Sequence, residues 1–308
     1  MTLENQENMN ACEICGHLDW TIIYSGPIRD GVYSSYRNGS LVYRCENCSV
    51  QRLFEKGCIP SDYYESGEYR KKLAQSIRTE DVIHEHEAFN KFTFEALWPL
   101  SSIRNKNIVD IGCGSGHLLD ALSGASKNQV GIEPCSPYLT SIIEKGYEAY
   151  SSIQDCTNKG REKYFDFGFS IQVIEHVLNP RLFLEDIRRL LKPGANLLIS
   201  TPNRDDILMS LMPDDFPSFF YRTQHRWYFD ANSLKFCAKS AGFEIAEMKY
   251  IHRYAMSNTL HWLRDKLPTG VEKIQGINAL ADNFWKGYLE STHQSDNLYI
   301  HLRVPNDL

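Results

Sequence analysis

The sequence has no apolar run approaching the ~20 residues that a membrane-spanning helix needs, so it predicts no transmembrane segment. It also has no secretory signal at its start, because residues 1–10 are polar and acidic where such a signal is basic and then apolar. We expect these residues to form a disordered tail, and we expect the protein to be cytoplasmic.

An excess of positive charge is also missing, since the formal net charge is −6 at pH 7. Proteins that bind nucleic acid through its phosphates usually carry a basic surface, so this charge argues against a large nucleic-acid footprint. Internal repeats and low-complexity tracts are absent. The hydrophobic content of 42% is that of an ordinary globular chain, long enough for a sizeable core and a small additional module.

Cysteine, by contrast, is plentiful, and four of the nine cysteines form two C-x-x-C pairs, Cys12/Cys15 and Cys45/Cys48. Two such pairs can place four thiolates around one ion, and a four-sulfur set suits tetrahedral Zn²⁺. The sequence between the pairs alternates like β-strands, so residues 11–60 are predicted to form a zinc ribbon with a structural metal. The alternative is a redox dithiol, but that would be expected as a single pair near a βαβ unit.

The predicted ribbon carries no basic stripe. Five basic and five acidic residues fall between positions 11 and 60, so its formal charge is zero. A segment this short buries too little apolar surface to fold without a cross-link such as a bound metal. We therefore expect the zinc to hold a small module together rather than to form part of a nucleic-acid reader.

A glycine-rich turn is the second strong feature, where V109-D-I-G-C-G-S-G116 follows a short apolar run and precedes a helical pattern. A turn of this kind lets the backbone approach a ligand closely and aims helix N–H groups at it. A second predicted strand ends at Glu133. An acidic residue about twenty positions beyond the glycines lies where a ribose diol would bind.

Four segments in this order resemble the motifs of class I S-adenosylmethionine (SAM) methyltransferases, in particular their small-molecule branch. The glycine turn resembles the first motif, and G-I-E-P at 131–134 resembles the second. The stretch F-D-F-G-F-S-I-Q-V-I-E-H-V at 165–177 resembles the fourth-strand segment, and residues 191–203 resemble the following turn and fifth strand. The N-terminal zinc ribbon adds a resemblance to sugar and natural-product methyltransferases.

The resemblance implies an α/β fold, in which a Rossmann-like, seven-stranded, mostly parallel sheet accompanies the small N-terminal zinc ribbon. The family's seventh strand is antiparallel and lies between the fifth and sixth, and the C-terminal segment fits this place after a helical insertion. The expected boundaries are a tail over 1–10, the zinc ribbon over 11–60, a helical linker or lid over 61–98, the SAM-binding core over 99–251, a helical insertion or cap over 252–296 and the last strand over 297–308.

The resemblance also implies SAM as the cofactor and assigns residues to it. Asp110 and the glycine turn would hold its methionine part, and Glu133 would take the ribose hydroxyls. Pro134 and Ile153 would border the adenine. The expected cofactor residues are Asp110, Gly112, Cys113, Gly114, Gly116, Glu133, Pro134, Ile153, Gln172 and Val173, the last two near the sulfonium.

Two histidines are candidates for a general base, which methyl transfer to a hydroxyl needs in addition to alignment of the acceptor. His176 directly follows the fourth strand. His225 lies in Q224-H-R-W-Y-F229, which is similar to a loop of sugar and other small-molecule methyltransferases whose histidine faces the acceptor. We expect His225 to be the base, ahead of His176, with Glu175 able to orient a neighbour.

Three further residues are predicted to contact the acceptor. Arg222 and Arg226 flank His225, and guanidinium groups suit a phosphate or carboxylate. Tyr64 belongs to the linker, which in related methyltransferases lies over the SAM cleft.

The sequence therefore predicts a methyltransferase that acts on a small polar acceptor: a hydroxyl, or a carbon, of a sugar, nucleotide-sugar or other metabolite. No nucleic-acid or membrane partner is expected, and the protein is expected to be a monomer or homodimer. One alternative is an RNA base methyltransferase, because some of these also begin with a zinc ribbon, although the neutral ribbon argues against it. The other is a non-catalytic binding protein, which failure to bind SAM would support.

Overall fold

Two sheets organise the chain in a computed structural model that describes residues 9–31, 35–60, 63, 90–97, 102–270 and 272–306. The strands are β1 (Trp20–Arg29), β2 (Tyr36–Cys45), β3 (Gln51–Leu53), β4 (Asn107–Ile111), β5 (Asn128–Ile132), β6 (Glu148–Tyr150), β7 (Phe165–Ile171), β8 (Leu191–Pro202), β9 (Trp227–Tyr228), β10 (Glu244–Ile251) and β11 (Asn297–Arg303). The helices are α1 (His117–Leu122), α2 (Ser136–Glu144), α3 (Ile153–Asn158), α4 (Pro180–Leu190), α5 (Ile207–Leu211), α6 (Phe216–Phe220), α7 (Ala231–Ser240), α8 (Met256–Asp265) and α9 (Ala279–Ser291).

The larger sheet has seven strands in the order β10-β11-β8-β7-β4-β5-β6. Strands β4 to β8 pair in parallel, whereas β11 runs antiparallel to both of its neighbours, β8 and β10. This is the predicted Rossmann-like sheet, with the last strand inserted where the resemblance implied it. The carboxyl ends of the parallel strands meet at one edge, which is where ligands bind in such sheets.

Helix α4 illustrates how the sequence covers this sheet. Asn179 caps it, since its side chain accepts a hydrogen bond from the Leu182 backbone N–H at 2.9 Å. Proline at the first helical position supplies a preset φ angle and gives up only an N–H that would have no helical partner. Leu184, Ile187 and Leu190 then recur at helical spacing and are buried. The apolar face packs on the core while arginines end the helix.

The smaller sheet contains four strands in the order β1-β2-β3-β9. The first three belong to the predicted ribbon, but β9 comes from the segment that follows β8. It pairs antiparallel with β3, with Gln51 opposite Tyr228 and Arg52 opposite Trp227. Buried residues of the ribbon and of the larger sheet share one apolar cluster, which includes Cys45 together with Val109 and Trp227. The ribbon is therefore packed onto the core rather than appended to it.

Helices α8 and α9 lie between β10 and β11 in the chain. The Trp285 indole N–H of α9 donates to the Thr259 hydroxyl of α8 at 3.1 Å. Trp262 and Leu289 share an apolar cluster with Phe216 of α6. These helices thus cover the segment that follows β8. In the part of the chain that the structure describes, no helix has the length and apolar character needed to cross a membrane.

Residues 90–97 are helical, within the region expected to form a linker or lid. Most of that region, including Tyr64, lies outside the described residues, so its predicted contact with the acceptor remains a prediction.

Candidate active site and zinc centre

The four predicted zinc ligands come together at the base of the ribbon. The Sγ atoms of Cys12 and Cys48 are 3.7 Å apart, and those of Cys15 and Cys45 are 3.5 Å apart. All four sulfurs lie within 4.8 Å of one another. A tetrahedral ion with metal–sulfur bonds of ~2.3 Å requires sulfurs roughly 3.8 Å apart, so the arrangement fits Zn²⁺.

The glycine turn lies at the carboxyl end of β4, against the end of β7. Gly112 has a φ of +77°, and a Cβ built there would come within 2.4 Å of Val173 Cγ2. The N–H groups of the turn are already bonded within the protein, with Gly112 donating to Ile132 and Gly114 donating to Glu133. The missing side chain of Gly112 therefore lets the turn pack against Val173 at the end of β7.

Two buried carboxylates stand beside the turn. Asp110 is the last residue but one of β4, Glu133 follows β5, and they are 3% and 8% exposed. Glu133 accepts hydrogen bonds from the N–H groups of Gly114 at 2.8 Å and Cys135 at 2.9 Å. Burial, and then the negative charge of Glu133, raise the pKa of Asp110 to about 7. Asp110 has no basic partner among the described residues, so a cationic ligand would relieve an unfavourable buried charge.

The other predicted cofactor residues differ in exposure and in hydrogen bonding. Pro134 is exposed, and Ile153 is half-buried at the start of α3. The Cys113 thiol is buried, and burial raises its pKa well above the ordinary value, so it is not a nucleophile here. Gln172 has a φ of +58° and uses its side-chain amide to donate to Ser200 and Asn297. That amide thus links neighbouring strands.

Both predicted histidines lie at this edge and contact each other. The rings of His176 and His225 meet edge to face with centroids 4.8 Å apart. Glu175 is 1% exposed and accepts a hydrogen bond from the Thr201 hydroxyl through Oε2, while its Oε1 has no hydrogen-bond partner. Burial raises the pKa of Glu175 to about 7. One ligand atom from each of these two histidines and Glu175 lies within 4.8 Å of the others.

The hydrogen bonds of the histidines give the two rings different properties. His176 Nδ1 lies 2.7 Å from the Gln224 backbone carbonyl, which can only accept, so Nδ1 carries the hydrogen and the lone pair of the neutral ring is on Nε2. His225 Nδ1 instead accepts from Arg222 Nε at 3.3 Å, which places the ring hydrogen on Nε2. Burial, followed by the charge of Arg222, holds the pKa of His225 well below its usual value.

The two predicted acceptor arginines are placed differently. Arg222 donates to His225, whereas the Arg226 guanidinium pairs with Glu55 of the ribbon and lines a small pocket together with His176. Arg226 therefore links the loop to the ribbon, and its predicted contact with the acceptor stays a prediction. A cation bound between Glu175 and the histidines would be repelled by Arg222, so the cluster suits proton transfer better than metal binding.

The loop that carries His225 is held from both sides. On one side, the N–H of Arg226 donates to the Glu175 carbonyl, and the Trp227 indole N–H donates to Val177. On the other, the N–H of Leu53 donates to the Arg226 carbonyl at 2.9 Å. The ribbon and the end of β7 therefore position this loop together.

Comparison with known proteins settles the family. A family model described as a methyltransferase domain matches residues 82–248, more than half of the chain. The chain belongs to this family. With the strand order and glycine turn described above, it is a SAM-dependent methyltransferase.

Relatives of this methyltransferase share parts of its sequence. It is 33% identical over 115 residues to a mitochondrial ubiquinone biosynthesis O-methyltransferase of Dictyostelium discoideum, covering 32% of this chain and only 36% of that protein. It is 26% identical over 199 residues to a ubiquinone biosynthesis O-methyltransferase of Methylococcus capsulatus, covering 58% of this chain and 80% of that protein. A tRNA U34 carboxymethyltransferase of Hydrogenovibrio crunogenus is 30% identical over 112 residues, covering 33% of this chain and 34% of that protein.

The fold also matches solved structures. One is a putative methyltransferase in a complex with the Trm112 methyltransferase activator of Haloferax volcanii, with a TM-score of 0.51 and 15% identity, covering 74% of this chain and 93% of that one. At this identity the match supports the shared fold only.

Residues that sequence reasoning missed connect the ribbon to the methyltransferase core. Arg29 ends β1 and lies beside the His225 loop, with its guanidinium carbon 4.1 Å from the centre of the Phe219 ring. Glu55 pairs with both Arg52 and Arg226. No local pattern marks either residue, because each acts on a segment far away in the sequence.

Proposed function

We propose that this methyltransferase transfers the methyl group of SAM to a hydroxyl oxygen of a small polar acceptor, with His176 as the general base. The observation that carries the proposal is the hydrogen bond between His176 Nδ1 and the Gln224 carbonyl, 2.7 Å long. It leaves the basic Nε2 for a proton from the acceptor. This reverses the order expected from the sequence, in which His225 came first.

Bound SAM supplies an electrophilic methyl group, and the chain's residues position it. Asp110 and the close approach at Gly112 suit its cationic methionine part, and Glu133 suits the ribose hydroxyls, since each carboxylate oxygen can accept more than one hydrogen bond. Val173 packs against Gly112 of the turn and lies two residues beyond the end of β7, shortly before His176 in the sequence. Pro134 and Ile153 are proposed to border the adenine.

The three side chains of the base cluster have separate parts to play. His176 takes the hydroxyl proton at Nε2. Glu175 Oε1 lies 3.9 Å from that nitrogen and stabilises the imidazolium that forms. His225, held by Arg222, keeps its hydrogen on Nε2 and can donate to the acceptor oxygen. A base with a nearby carboxylate contributes typically 10²–10⁴-fold to the rate.

Two observations support a small acceptor. His225 is 4% exposed and the His176 side chain is 17% exposed, so the base is recessed under the loop and is ill suited to a large folded surface. The matched ubiquinone O-methyltransferases act, by their names, in the biosynthesis of a small molecule through oxygen methylation. A sugar, a nucleotide-sugar or another hydroxylated metabolite belongs to the proposed class.

The zinc is proposed to be structural. Cys12, Cys15, Cys45 and Cys48 would bind one Zn²⁺, and their sulfurs leave no position open for a substrate. The metal would join the segment before β1 to the turn between β2 and β3, and through the pairing of β3 with β9 it would support the His225 loop.

The acceptor class can be tested with SAM that carries a labelled methyl group. The purified protein is incubated with an extract of the cells that produce it, and label is counted in small molecules, glycans, protein and RNA. We expect label among small molecules or glycans. Label in RNA that disappears with ribonuclease would overturn the proposal and favour an RNA base as the acceptor.

A further inference from the structure

Arg29 is a residue of the ribbon whose surroundings belong to the proposed active site. Its backbone N–H donates to the Tyr221 carbonyl at 3.0 Å, and its carbonyl accepts from Thr223 at 3.0 Å. These bonds form a parallel β-bridge between Arg29 and Arg222. The last residue of β1 therefore pairs with the loop that carries His225.

The positive charges of Arg29 and Arg222 are close enough to disfavour each other. Neither forms an ion pair with a carboxylate in the described part of the chain, and the buried Nε of Arg29 has no hydrogen-bond partner. Burial, and then the neighbouring charge of Arg222, lower the pKa of Arg29 to about 9. Two cationic groups held together in this way are unfavourable unless an anion joins them.

Other arginines of the described chain form ion pairs with carboxylates. Arg52 pairs with Glu13 at 2.9 Å and with Glu55 at 3.0 Å. Arg253 pairs with Asp296 at 2.6 Å.

The carboxylates of this region have other partners: Asp30 accepts from the Thr223 hydroxyl at 2.8 Å and pairs with Arg37, and Glu175 accepts from the Thr201 hydroxyl. Arg29 and Arg222 are thus left without an ion pair among the described residues.

We propose that Arg29 and Arg222 together bind an oxyanion of the acceptor, a carboxylate or a phosphate, next to His225. A guanidinium offers a fork of donors that matches both anions. This inference rests on the proposed function and specifies its substrate class, an anionic hydroxylated metabolite. It also gives the ribbon a direct part in acceptor recognition, in addition to its packing role.

A bound anion would change the chemistry of His225. The charged or titratable groups around this ring are Arg222, Arg29, His176, Glu175 and Tyr228. Two of them are the proposed anion ligands, and both lower the pKa of His225. An anion on these guanidinium groups therefore raises the pKa of His225 toward its ordinary value, which gives a readout independent of turnover.

The experiment uses the full-length, zinc-loaded protein without SAM. It is titrated with inorganic phosphate, pyrophosphate and succinate at constant ionic strength, and the histidine ring resonances are followed by NMR. We expect saturable binding of at least one anion and an upward shift in the pKa of His225. Arg29→Gln and Arg222→Gln should each weaken binding by about tenfold or more.

Arg44→Gln is the matched control, because Arg44 lies in β2 of the same ribbon and pairs with Glu46 on the surface. It should bind anions as the wild type does. Should Arg29→Gln fail to fold, Arg29→Met keeps an unbranched side chain over Phe219 and gives the same comparison.

The outcomes separate the sources of the anion. Preference for phosphate or pyrophosphate indicates a phosphorylated or nucleotide-linked acceptor, and preference for succinate indicates a carboxylic acid. Absence of saturable binding to the wild type, or wild-type affinity in a folded Arg29 variant, would overturn the inference. Because neither SAM nor methyl transfer enters this experiment, failure of the anion site and failure of the proposed function appear in different measurements.

Discussion

At Gly112, backbone conformation and packing both exclude a side chain. Its φ of +77° is in the left-handed region, and its missing Cβ leaves the space that Val173 occupies. This position joins the turn after β4 to the end of β7. The glycine of the first motif is thus required by the protein's own geometry as well as by close approach of a ligand.

Gly112→Ala is expected to weaken SAM binding by roughly tenfold. It should lower the free energy of unfolding by at least ~1–2 kcal/mol, the usual cost of a left-handed conformation at a non-glycine residue, because the new Cβ also clashes with Val173. Calorimetry and urea unfolding would measure the two effects. Gly287→Ala is the control, because Gly287 lies inside α9 with nothing near its missing Cβ. It should stabilise the protein by ~0.5–1 kcal/mol, and an equal effect of both changes would refute this account of Gly112.

Asp110 predicts a pH dependence of cofactor binding. Because burial and Glu133 raise its pKa to about 7, the carboxylate is charged above this pH and protonated below it. A cationic ligand binds the charged form, so SAM affinity should fall as the pH drops below about 7. Titration calorimetry at a series of pH values would show this, and Asp110→Asn should flatten the profile. A flat profile in the wild type would argue against contact between Asp110 and the cofactor.

At the scale of elements, the strands of the larger sheet could be predicted because each carries a local signal. Parallel strands buried on both faces are rich in apolar residues, and β4, β5, β7 and β8 each hold a short apolar segment beside turn residues. Strand β9 carries no such signal, since it has two residues, and its pairing with β3 depends on the tertiary fold. Its apolar sequence is part of a motif predicted for catalysis.

The contacts of the arginines near His225 could not be predicted from the sequence either, because they also depend on the tertiary fold. Sequence reasoning placed both arginines at the acceptor from their nearness to His225 in the chain, but nearness in a turn does not fix which partner a side chain meets. Arg222 bonds to His225, whereas Arg226 pairs with Glu55 of the ribbon. Arg29 reaches this loop only because β1 ends beside it, and the sequence between them gives no indication of that.

The link between β3 and β9 is expected to depend on Glu55. Glu55→Gln leaves the buried Arg226 without its ionic partner, so the free energy of unfolding should fall by roughly 1–2 kcal/mol. The apparent KM for the acceptor should rise while SAM affinity is unchanged. Urea unfolding and initial rates would measure these effects.

Glu46→Gln is the control, since Glu46 pairs with Arg44 at the surface, where ion pairs contribute ~0–1 kcal/mol. Equal destabilisation by the two changes would contradict a special role for Glu55.

For the molecule as a whole, the two sheets share one apolar core. The cysteine cluster packs against the core of the larger sheet, and the ribbon sheet takes its fourth strand from the segment after β8. Most of the predicted cofactor residues lie at the ends of β4 and β5, whereas the His225 loop pairs directly with the ribbon through β9 and β3. Binding of the cofactor and of the acceptor should therefore depend differently on the metal.

Removal of zinc with a chelator is expected to loosen the ribbon sheet and the His225 loop. Hydrogen exchange of the Leu53 amide, which donates to the Arg226 carbonyl, should accelerate, and acceptor turnover should be lost. SAM affinity should change by less than about threefold, because most of its predicted residues belong to the turns after β4 and β5 rather than to the ribbon. Normal turnover in metal-free protein would show that the ribbon does not support the active site.

The most direct measurement compares methyl transfer by the wild type and His176→Gln, with SAM affinity determined in the same samples and His225→Gln alongside. The wild type should label an anionic small molecule. His176→Gln should bind SAM normally and transfer methyl at least about a hundredfold more slowly, the usual lower range for loss of a general base. Undiminished transfer by His176→Gln, or label that enters only RNA or protein, would contradict the account.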